Sequence, residues 1–217
     1  ITLIMINPLQ NKKILITCGP TWVPMDPVRV ITNRSSGELG HTIAKDLEGE
    51  GSKITLLQGP VTHLWQPGSI KVIRFQSYEE LANLIRRQLK KSYDIIIHLA
   101  AVSDYELKTP FRSKLDSQAP LMLRLSPTKK IIQEIKRRNP WAFLVGFKLE
   151  TNFTRKTSKK KAGELIRKAG CDLIVVNGVR GKSYQAYIFD RMKRLLAQAQ
   201  SRRQLSKSLI RVLKAKI

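Results

Sequence analysis

The feature that most constrains the fold is a series of short, uninterrupted apolar runs distributed along the chain. They lie within residues 12–17, 53–58, 94–99, 142–148 and 172–176, and residues 70–75 are a further expected strand. Continuous apolar runs, unlike alternating ones, are typical of strands buried on both faces, as in parallel sheets. The sequence therefore predicts an α/β protein with a Rossmann-like parallel sheet covered by helices on both faces.

The segments between these runs predict the covering helices. Apolar residues at helical spacing indicate helices at residues 37–51, 77–91, 129–138, 159–169 and 203–214. Ser77 and Glu80 are spaced as a capping box at the start of the second helix. Residues 121–125 are a candidate short strand, and residues 187–189 and 195–197 are expected to pair across a turn.

The whole chain, residues 1–217, is expected to form one domain. Its length and its hydrophobic content of 42% fit a single domain with a substantial core. Residues 1–11 are expected to be a frayed lead-in to the first strand, and residues 178–217 a small C-terminal hairpin with a terminal helix. No membrane association is expected, because no apolar run approaches the roughly eighteen residues of a spanning helix.

The cysteines and one histidine carry no sign of metal or acid–base chemistry. Cys18 and Cys171 are far apart and lie in no metal-ligand pattern, which favours reduced thiols and a cytoplasmic location. His98 lies inside an apolar run and is interpreted as a core histidine. No metal ligand and no general base are therefore assigned.

The chain is strongly basic. Forty Lys and Arg residues against sixteen Asp and Glu residues give a formal net charge of +24. Nucleic-acid binding is one explanation, but the cations are spread over most of the chain and no nucleic-acid motif accompanies them. A generally basic surface that attracts anionic metabolites explains the same count and is favoured.

One segment gathers anion-binding chemistry at the start of the first long helix. The segment contains, in order, Arg29, Asn33, Arg34, Ser35, Ser36 and Gly37. A helix start presents unpaired backbone N–H groups and the positive end of the helix dipole, so it favours an anion. The alternative is that Ser36 caps the helix and that both arginines are solvated.

A second segment follows the run at residues 94–99. Ala100, Ala101 and Asp104 come directly after this expected strand, and open α/β sheets bind ligands beyond the carboxyl ends of their strands. Asp104 can accept hydrogen bonds from ribose hydroxyls or a base amine. The alternative is a turn-forming aspartate.

Seven motifs in order resemble one enzyme family. They are Thr-Cys-Gly-Pro-Thr (17–21), the block at 26–40, Ala-Ala-Val-Ser-Asp-Tyr (100–105), Lys114, Pro-Thr-Lys-Lys-Ile-Ile (127–132), Val-Gly-Phe-Lys-Leu-Glu-Thr (145–151) and Asp-Leu-Ile-Val-Val-Asn (172–177). The order resembles phosphopantothenoylcysteine synthetase, the phosphopantothenate–cysteine ligase of coenzyme A biosynthesis. The match covers nearly the whole chain from Lys12, and its two longest blocks make it specific.

The resemblance implies a two-step ligase reaction. The carboxylate of 4′-phosphopantothenate attacks the α-phosphate of CTP, or of ATP, and L-cysteine then displaces the nucleotide from the acyl-CMP intermediate. The resemblance also implies Mg²⁺, a homodimer and a possible association with a phosphopantothenoylcysteine decarboxylase.

The resemblance assigns three catalytic residues. Asn33 would hold the acyl oxygen for the cysteine step, because an amide donates a hydrogen bond without reacting; an Asx-turn is the alternative. Lys114 would contact the triphosphate and stabilise charge on the α-phosphate. Arg29 would neutralise the pantothenate side, although an ion pair with Asp26 explains this arginine equally well. Ser35, Ser36 and Gly37 would form a phosphate cradle.

The family positions also imply a nucleotide site. Its residues are Ala100, Ala101, Asp104, Lys114, Lys129, Phe147, Lys161 and Lys168. Phe147 matches an aromatic residue near the base, with a buried strand phenylalanine as the alternative. Lys161 and Lys168 are the nearest candidates for two family lysines, but their spacing differs. The chain also departs at Asp116 and Ser117, where many bacterial members have lysines.

A nicotinamide-dependent oxidoreductase is the alternative that the fold class alone suggests. It is disfavoured because no Gly-x-Gly-x-x-Gly follows the first expected strand and no Tyr-x-x-x-Lys is present.

Overall fold

An eight-stranded, mostly parallel sheet forms the centre of the protein. The structure is a computed structural model that describes residues 7–61, 68–116, 118, 120–151, 154–180 and 183–217. Its strands are β1 (Lys13–Cys18), β2 (Trp22–Pro24), β3 (Val30–Thr32), β4 (Lys53–Gln58), β5 (Lys71–Arg74), β6 (Ile95–His98), β7 (Tyr105–Glu106), β8 (Ser126–Pro127), β9 (Phe143–Leu149), β10 (Leu173–Arg180), β11 (Ser183–Asp190) and β12 (Leu195–Ala199). Its helices are α1 (Glu38–Gly49), α2 (Tyr78–Gln88), α3 (Ile131–Arg138), α4 (Arg155–Ala169) and α5 (Arg202–Lys214).

The strand order confirms the predicted Rossmann-like architecture. The sheet runs β12-β11-β10-β9-β6-β1-β4-β5, and the pairs from β10 to β5 are parallel. Ile14 of β1 stands beside Ile54 of β4 on one side and Ile95 of β6 on the other. Strands β11 and β12 extend the sheet by antiparallel pairing, so the C-terminal hairpin is continuous with it.

Helices cover both faces of the sheet, as predicted. On one face, α1 and α5 bury Ile43, Leu47 and Leu209 against the strands. On the other face, α2, α3 and α4 bury side chains that include Leu81 and Ile135. Alternate residues of the buried strands supply the two cores, because successive strand side chains point to opposite faces.

Local chemistry explains where two of the helices begin. Ser77 caps α2 by accepting a hydrogen bond from Glu80 N at 3.2 Å. The Glu80 carboxylate instead accepts from Gln76 N at 2.7 Å, so half of the predicted capping box forms. Helix α4 begins four residues earlier than predicted, because Thr154 and Thr157 form a reciprocal capping box.

Two sequence expectations are wrong. Residues 121–125 form no strand; the neighbouring pair Ser126–Pro127 joins Tyr105–Glu106 instead, and hydrogen bonds from Thr128 to the 103 and 104 carbonyls fix that pairing. Residues 7–11 are not frayed, because Leu9 is fully buried and the Asn7 amide donates to the Glu50 carboxylate at 2.8 Å. The remainder of the expected lead-in, residues 1–6, lies outside the described residues.

Both cysteines are buried. Cys18 and Cys171 are free thiols, and burial raises the pKa of each to about 12. None of the helices in the described ranges is both long and apolar enough to cross a membrane.

Candidate active site

The site lies where the strand order changes direction. From β1 the chain passes to β4 and β5 on one side and later to β6 and β9 on the other, which opens a crevice beyond the carboxyl ends of β1 and β6. The loops that follow these two strands meet there: Ala101 N donates to Gly19 O at 2.9 Å, and Thr21 N donates to Ala101 O at 3.3 Å. Gly19 has a φ of +79°, which favours glycine.

Asp26 organises the hairpin of β2 and β3. Its side chain is fully buried and accepts from Val28 N at 2.9 Å, Arg29 N at 2.8 Å and Leu115 N at 3.1 Å. Burial alone would raise the pKa of Asp26, but these N–H donors and the Arg29 guanidinium outweigh it and hold the pKa below its usual value. The hairpin is thereby fixed to the loop that carries Leu115.

Arg29 forms the ion pair that the sequence analysis left as an alternative. Its Nε lies 3.7 Å from Asp26 Oδ2, and its Nη2 donates to Leu115 O at 3.0 Å. Asn33 contacts the loop after β6 instead: its Nδ2 donates to Ala101 O at 3.2 Å and to Val102 O at 3.1 Å. The Asn33 side chain therefore links the segment before α1 to the loop after β6 by two hydrogen bonds.

Helix α1 begins without a side-chain cap. Its N-cap is Gly37, with a φ of +73°, and a Cβ there would lie 2.8 Å from Val61 Cγ1. Ser36 precedes the N-cap, and its hydroxyl accepts only a long, 3.4 Å hydrogen bond from Glu38 N. Ser36 therefore does not cap the helix. The backbone N–H groups at the start of α1 have no capping side chain.

Two adjoining cavities occupy the crevice. The first, which we call the α1 cavity, measures about 520 Å³. It is lined by residues from the start of α1, from the loop after β6 and from the C-terminal elements, among them Asn33, Ser35, Ser36, Gly37, Ala100, Ala101, Asn177, Tyr184 and Arg202. It therefore combines the uncapped helix start with the segment held by Asn33.

The second cavity, which we call the α4 cavity, measures about 310 Å³. Its lining includes Ala100, Asp104, Lys129, Lys130, Phe147, Lys161, Glu164 and Lys168. Both cavities share Ala100, Val102, Asp104, Phe147 and Lys148. The two cavities therefore adjoin each other along these five residues.

The α4 cavity is electropositive. Lysines on α4 and before α3 outnumber its carboxylates, Asp104 and Glu164. The Asp104 carboxylate is ion-paired with Lys130, and Lys161 Nζ lies 3.8 Å from Glu164 Oε2. His98 also lines this cavity, but burial lowers its pKa to about 4, so the ring is neutral near pH 7 and bonds to Thr17 Oγ1 at 2.9 Å.

The family model for the DNA/pantothenate metabolism flavoprotein C-terminal domain matches residues 9–215. The chain belongs to this family. Two curated relatives are coenzyme A biosynthesis bifunctional proteins CoaBC. The one from Thermococcus kodakarensis is 39% identical over 174 residues, 79% of this chain and 42% of the relative. The one from Bacillus subtilis is 34% identical over 174 residues, 80% of this chain and 42% of that protein. The chain therefore spans less than half of their length.

Solved structures of this flavoprotein-domain family share the fold. The DNA/pantothenate metabolism flavoprotein from Streptococcus pneumoniae superimposes with a TM-score of 0.85 at 26% identity, covering 95% of this chain and 100% of that one. The C-terminal domain of a CoaBC protein gives a TM-score of 0.80 at 24% identity, covering 97% and 98%. The family confirms the resemblance found in the sequence and does not favour the oxidoreductase alternative.

The structure brings most of the sequence-predicted residues of this family member together. The α1 cavity contains Asn33 and the Ser35–Gly37 segment, the α4 cavity contains Lys129, Lys161 and Lys168, and the shared wall contains Ala100, Asp104 and Phe147, with Ala101 on the α1 side. Arg29 and Lys114 line neither cavity. Lys114 is exposed on the loop before Leu115, and Ser117, at which the sequence departs from the family, lies outside the described residues.

Four polar residues are among those of the crevice that the sequence did not predict. Lys130 stands beside the predicted Lys129, and Asn177 ends a recognised motif, so both had a local signal. Tyr184 on β11 and Arg202 on α5 had none. They reach the α1 cavity because the C-terminal hairpin extends the main sheet, which no local pattern reveals.

Proposed function

We propose that this chain joins 4′-phosphopantothenate and L-cysteine through an acyl-nucleotidylate, as a phosphopantothenate–cysteine ligase. The observation that carries the proposal is the common wall of the two cavities, formed by Ala100, Asp104 and Phe147. A ligase of this kind must bring a carboxylate and a nucleotide α-phosphate into contact. The family and its coenzyme A relatives support the same assignment.

The nucleotide is assigned to the α4 cavity. Lys129, Lys161 and Lys168 supply fixed positive charge for a triphosphate, Asp104 can accept hydrogen bonds from a ribose or base, and Phe147 offers an aromatic face. Lys130 is assigned to this site as well, because it already pairs with Asp104. CTP and ATP are both compatible with these contacts.

The phosphorylated acid is assigned to the α1 cavity. The uncapped start of α1 and the Ser35–Gly37 segment favour an anion. Asn33 lies between this cavity and the end of β6, so it is the proposed contact to the acyl oxygen. Its amide protons are shared with two backbone carbonyls, so this contact requires a small reorientation of the side chain when substrate binds.

The proposed reaction has two balanced steps. A carboxylate oxygen of the acid attacks the α-phosphorus, the bond to the β-phosphate breaks, and pyrophosphate leaves. The cysteine amine then attacks the acyl carbon, the bond between that carbon and the nucleotide oxygen breaks, CMP or AMP leaves, and the new amide nitrogen loses a proton. Fixed lysines stabilise the charge that develops on the phosphates.

Mg²⁺ is the proposed accompanying cation. The described residues contain no group of three or more His, Cys, Asp or Glu side chains that could hold a metal. Nucleotide enzymes commonly bind Mg²⁺ through one or two carboxylates and substrate phosphates. Glu164, which lines the α4 cavity, and the phosphates of the nucleotide fit that donor set, and Mg²⁺ would neutralise phosphate charge there.

A homodimer is part of the proposal. Apolar side chains are exposed on the β2–β3 hairpin, on β7 and on the loop after β7, among them Val28, Val30, Tyr105, Phe111, Leu121, Met122 and Leu125. Phe111 N donates to Met25 O at 2.8 Å, which joins the loop to the hairpin. A second copy of the chain would cover this apolar surface. Lys114 lies on the same loop as Phe111.

Association with a decarboxylase is proposed from the CoaBC relatives.

The decisive experiment separates the two steps. Pyrophosphate release from CTP or ATP with Mg²⁺ should require 4′-phosphopantothenate but not cysteine, and release of the nucleoside monophosphate should require cysteine. Comparing the two nucleotides at equal concentration gives the preference. Absence of turnover with both nucleotides would defeat the proposal.

A further inference from the structure

The main chain of Ser103 is held from two sides by threonine hydroxyls. Ser103 N donates to Thr21 Oγ1 at 2.9 Å, and Thr128 Oγ1 donates to Ser103 O at 2.7 Å. Thr21 follows β1 and Thr128 precedes α3, so the two hydroxyls come from segments that are distant in the chain. We call Thr21, Ser103 and Thr128 the threonine clamp.

Both threonines of the clamp are buried. Thr21 has no exposed surface, and Thr128 is 9% exposed. Water competes poorly for hydrogen bonds at such side chains, and a backbone N–H that loses its acceptor in an enclosed place is costly. The clamp therefore fixes the Ser103 backbone more firmly than contacts on an exposed loop would.

The clamp holds the wall between the α1 cavity and the α4 cavity. Ser103 lies between Val102 and Asp104, and both of these neighbours line both cavities. The carbonyl of Asp104 is fixed as well, because Thr128 N donates to it at 3.0 Å. Thr21 lines neither cavity, so its hydroxyl acts on the wall and not on a bound substrate.

The same hydrogen bonds reach the segments that serve each cavity. Thr21 O accepts from Thr32 Oγ1 at 3.1 Å, and Thr32 directly precedes Asn33, which lines the α1 cavity. Thr128 directly precedes Lys129, which lines the α4 cavity. One continuous set of contacts therefore links the segment assigned to the phosphorylated acid with the segment assigned to the nucleotide.

We propose that Thr21 and Thr128 are positioning residues that set the distance between the two bound substrates. This inference rests on the proposed function, in which the carboxylate of one substrate must approach the α-phosphate of the other. A displacement of about 1 Å between reacting groups can slow a reaction roughly 100-fold. Both threonines act through Ser103 and take no part in bond making.

The test compares Thr21→Val with Thr21→Ser. Valine keeps the shape of threonine but loses the acceptor for Ser103 N, whereas serine keeps the hydroxyl. Thr55→Val is the matched control, because Thr55 is a half-buried threonine of β4 that lines neither cavity. Circular dichroism and thermal unfolding verify that each variant is folded.

Thr21→Val should slow the pyrophosphate burst by about 10- to 100-fold, because this step needs both substrates in the correct relative position. The Kd of CTP alone, measured by titration calorimetry, should change by less than about three-fold, since a contact outside the cavities affects the joint step and not the binding of one ligand. Thr21→Ser and Thr55→Val should resemble the wild type in both measurements.

Three results would overturn the positioning role of Thr21. They are a burst of wild-type rate in Thr21→Val, a Thr21→Ser protein that is as slow as Thr21→Val, and a loss of CTP affinity as large as the loss of rate. The last result would assign Thr21 to nucleotide binding instead.

Thr128→Val tests the other half of the clamp. It should slow the same burst, and the double variant Thr21→Val/Thr128→Val should be slowed by less than the product of the two single effects, because both hydroxyls act through one residue. Effects that multiply would mean that the two threonines act independently, which contradicts the proposal.

Amide hydrogen exchange followed by NMR tests the clamp without any substrate. In Thr21→Val the Ser103 amide should exchange at least about ten-fold faster than in the wild type, whereas the amides of β1 should change far less; Thr21→Ser should restore the protection. A wild-type protein that turns over neither CTP nor ATP defeats the proposed function, and the exchange rate of Ser103 then decides the clamp by itself. An unchanged Ser103 rate in Thr21→Val overturns the clamp whatever the activity.

Discussion

His98 at the end of β6 is a buried neutral residue whose protonation opposes folding. Burial lowers its pKa to about 4, whereas an unfolded chain has a histidine pKa of about 6.5. At pH values between 4 and 6.5 the unfolded state binds a proton that the folded state does not. The free energy of unfolding is therefore greatest above pH 6.5 and decreases as the pH falls towards 4. By linkage the loss between pH 7.5 and 5.0 is about 2 kcal/mol.

Urea unfolding of the wild type and of His98→Gln at pH 7.5 and 5.0 measures this contribution. The variant loses its bond to Thr17 and is expected to be less stable at both pH values. The loss of stability between pH 7.5 and 5.0 should nevertheless be smaller in the variant, by about 2 kcal/mol. An identical pH dependence in both proteins would show that His98 does not titrate in this way.

Asn33 and Lys114 are predicted to act in different steps. Asn33→Ala should preserve the burst of pyrophosphate but slow release of the nucleoside monophosphate by about 100-fold, the scale of a lost oxyanion donor, so that the acyl-nucleotidylate accumulates. Lys114→Gln should suppress the pyrophosphate burst itself. Rapid-quench measurement of both products tests the pair. Equal slowing of the two steps in either variant contradicts the assigned roles.

The residue scale also shows what a local pattern can reveal. Ser35, Ser36 and Asp104 were predicted from their positions at a helix start or beside a strand end, and Phe147 from the family resemblance; all four line the crevice. Tyr184 and Arg202 were not predicted, because their place in the α1 cavity depends on where β11 and α5 pack. Arg29 had two equally supported interpretations: its ion pair with the buried Asp26 carboxylate forms, and its role towards the substrate stays a prediction.

At the scale of elements, the close approach of α1 to β1 positions the helix start over the crevice. A Cβ on Gly40 would lie 2.3 Å from Cys18 Cβ, and α1 would have to move away from the strand. Gly40→Ala should therefore destabilise the protein by about 1–3 kcal/mol, as overpacking does, and raise the KM for the substrate that uses the α1 cavity.

Gly49→Ala, in the last turn of the same helix, is the matched control. A Cβ there meets nothing within 4 Å, so the variant should gain up to about 1 kcal/mol from helix propensity without a change in KM. Urea unfolding and steady-state kinetics check both variants. A Gly40→Ala protein as stable as Gly49→Ala would mean that the contact between α1 and β1 tolerates the methyl group.

Element boundaries were predictable where both faces of a strand are buried. Lys53–Gln58 matches its prediction in full because a continuous apolar run between turn residues fits a parallel strand and little else. Residues 121–125 were mistaken for a strand because apolar composition was the only signal, and Met122 is 93% exposed. The length of β10 was underestimated because Asn177 and Gly178, which are polar or small, continue the pairing with β11.

At the scale of the molecule, the charge of +24 is expected to act on association. Basic surfaces raise the association rates of anionic ligands by roughly 10- to 1,000-fold, and salt screens this effect. The kcat/KM for CTP should therefore fall by about ten-fold or more between 0.1 M and 1 M NaCl, whereas the KM for cysteine, which has no net charge, should change little. A fall in kcat with kcat/KM unchanged would contradict this explanation.

The apolar surface around the β2–β3 hairpin predicts the oligomeric state. Val28 is 66% exposed and Met122 is 93% exposed. Exposed apolar side chains on two segments that a hydrogen bond joins, from Phe111 N to Met25 O, favour an interface. In the proposed dimer, Met122→Asp would bury an uncompensated charge, which should weaken association by about 100-fold or more.

Trp141→Ser is the control, because Trp141 is equally exposed at 92% but lies before β9, at the opposite end of the strands from the crevice. Sedimentation velocity at micromolar concentration should give dimers for the wild type and for Trp141→Ser, and monomers for Met122→Asp. A monomeric wild type, or dissociation caused by Trp141→Ser instead, would assign the interface elsewhere.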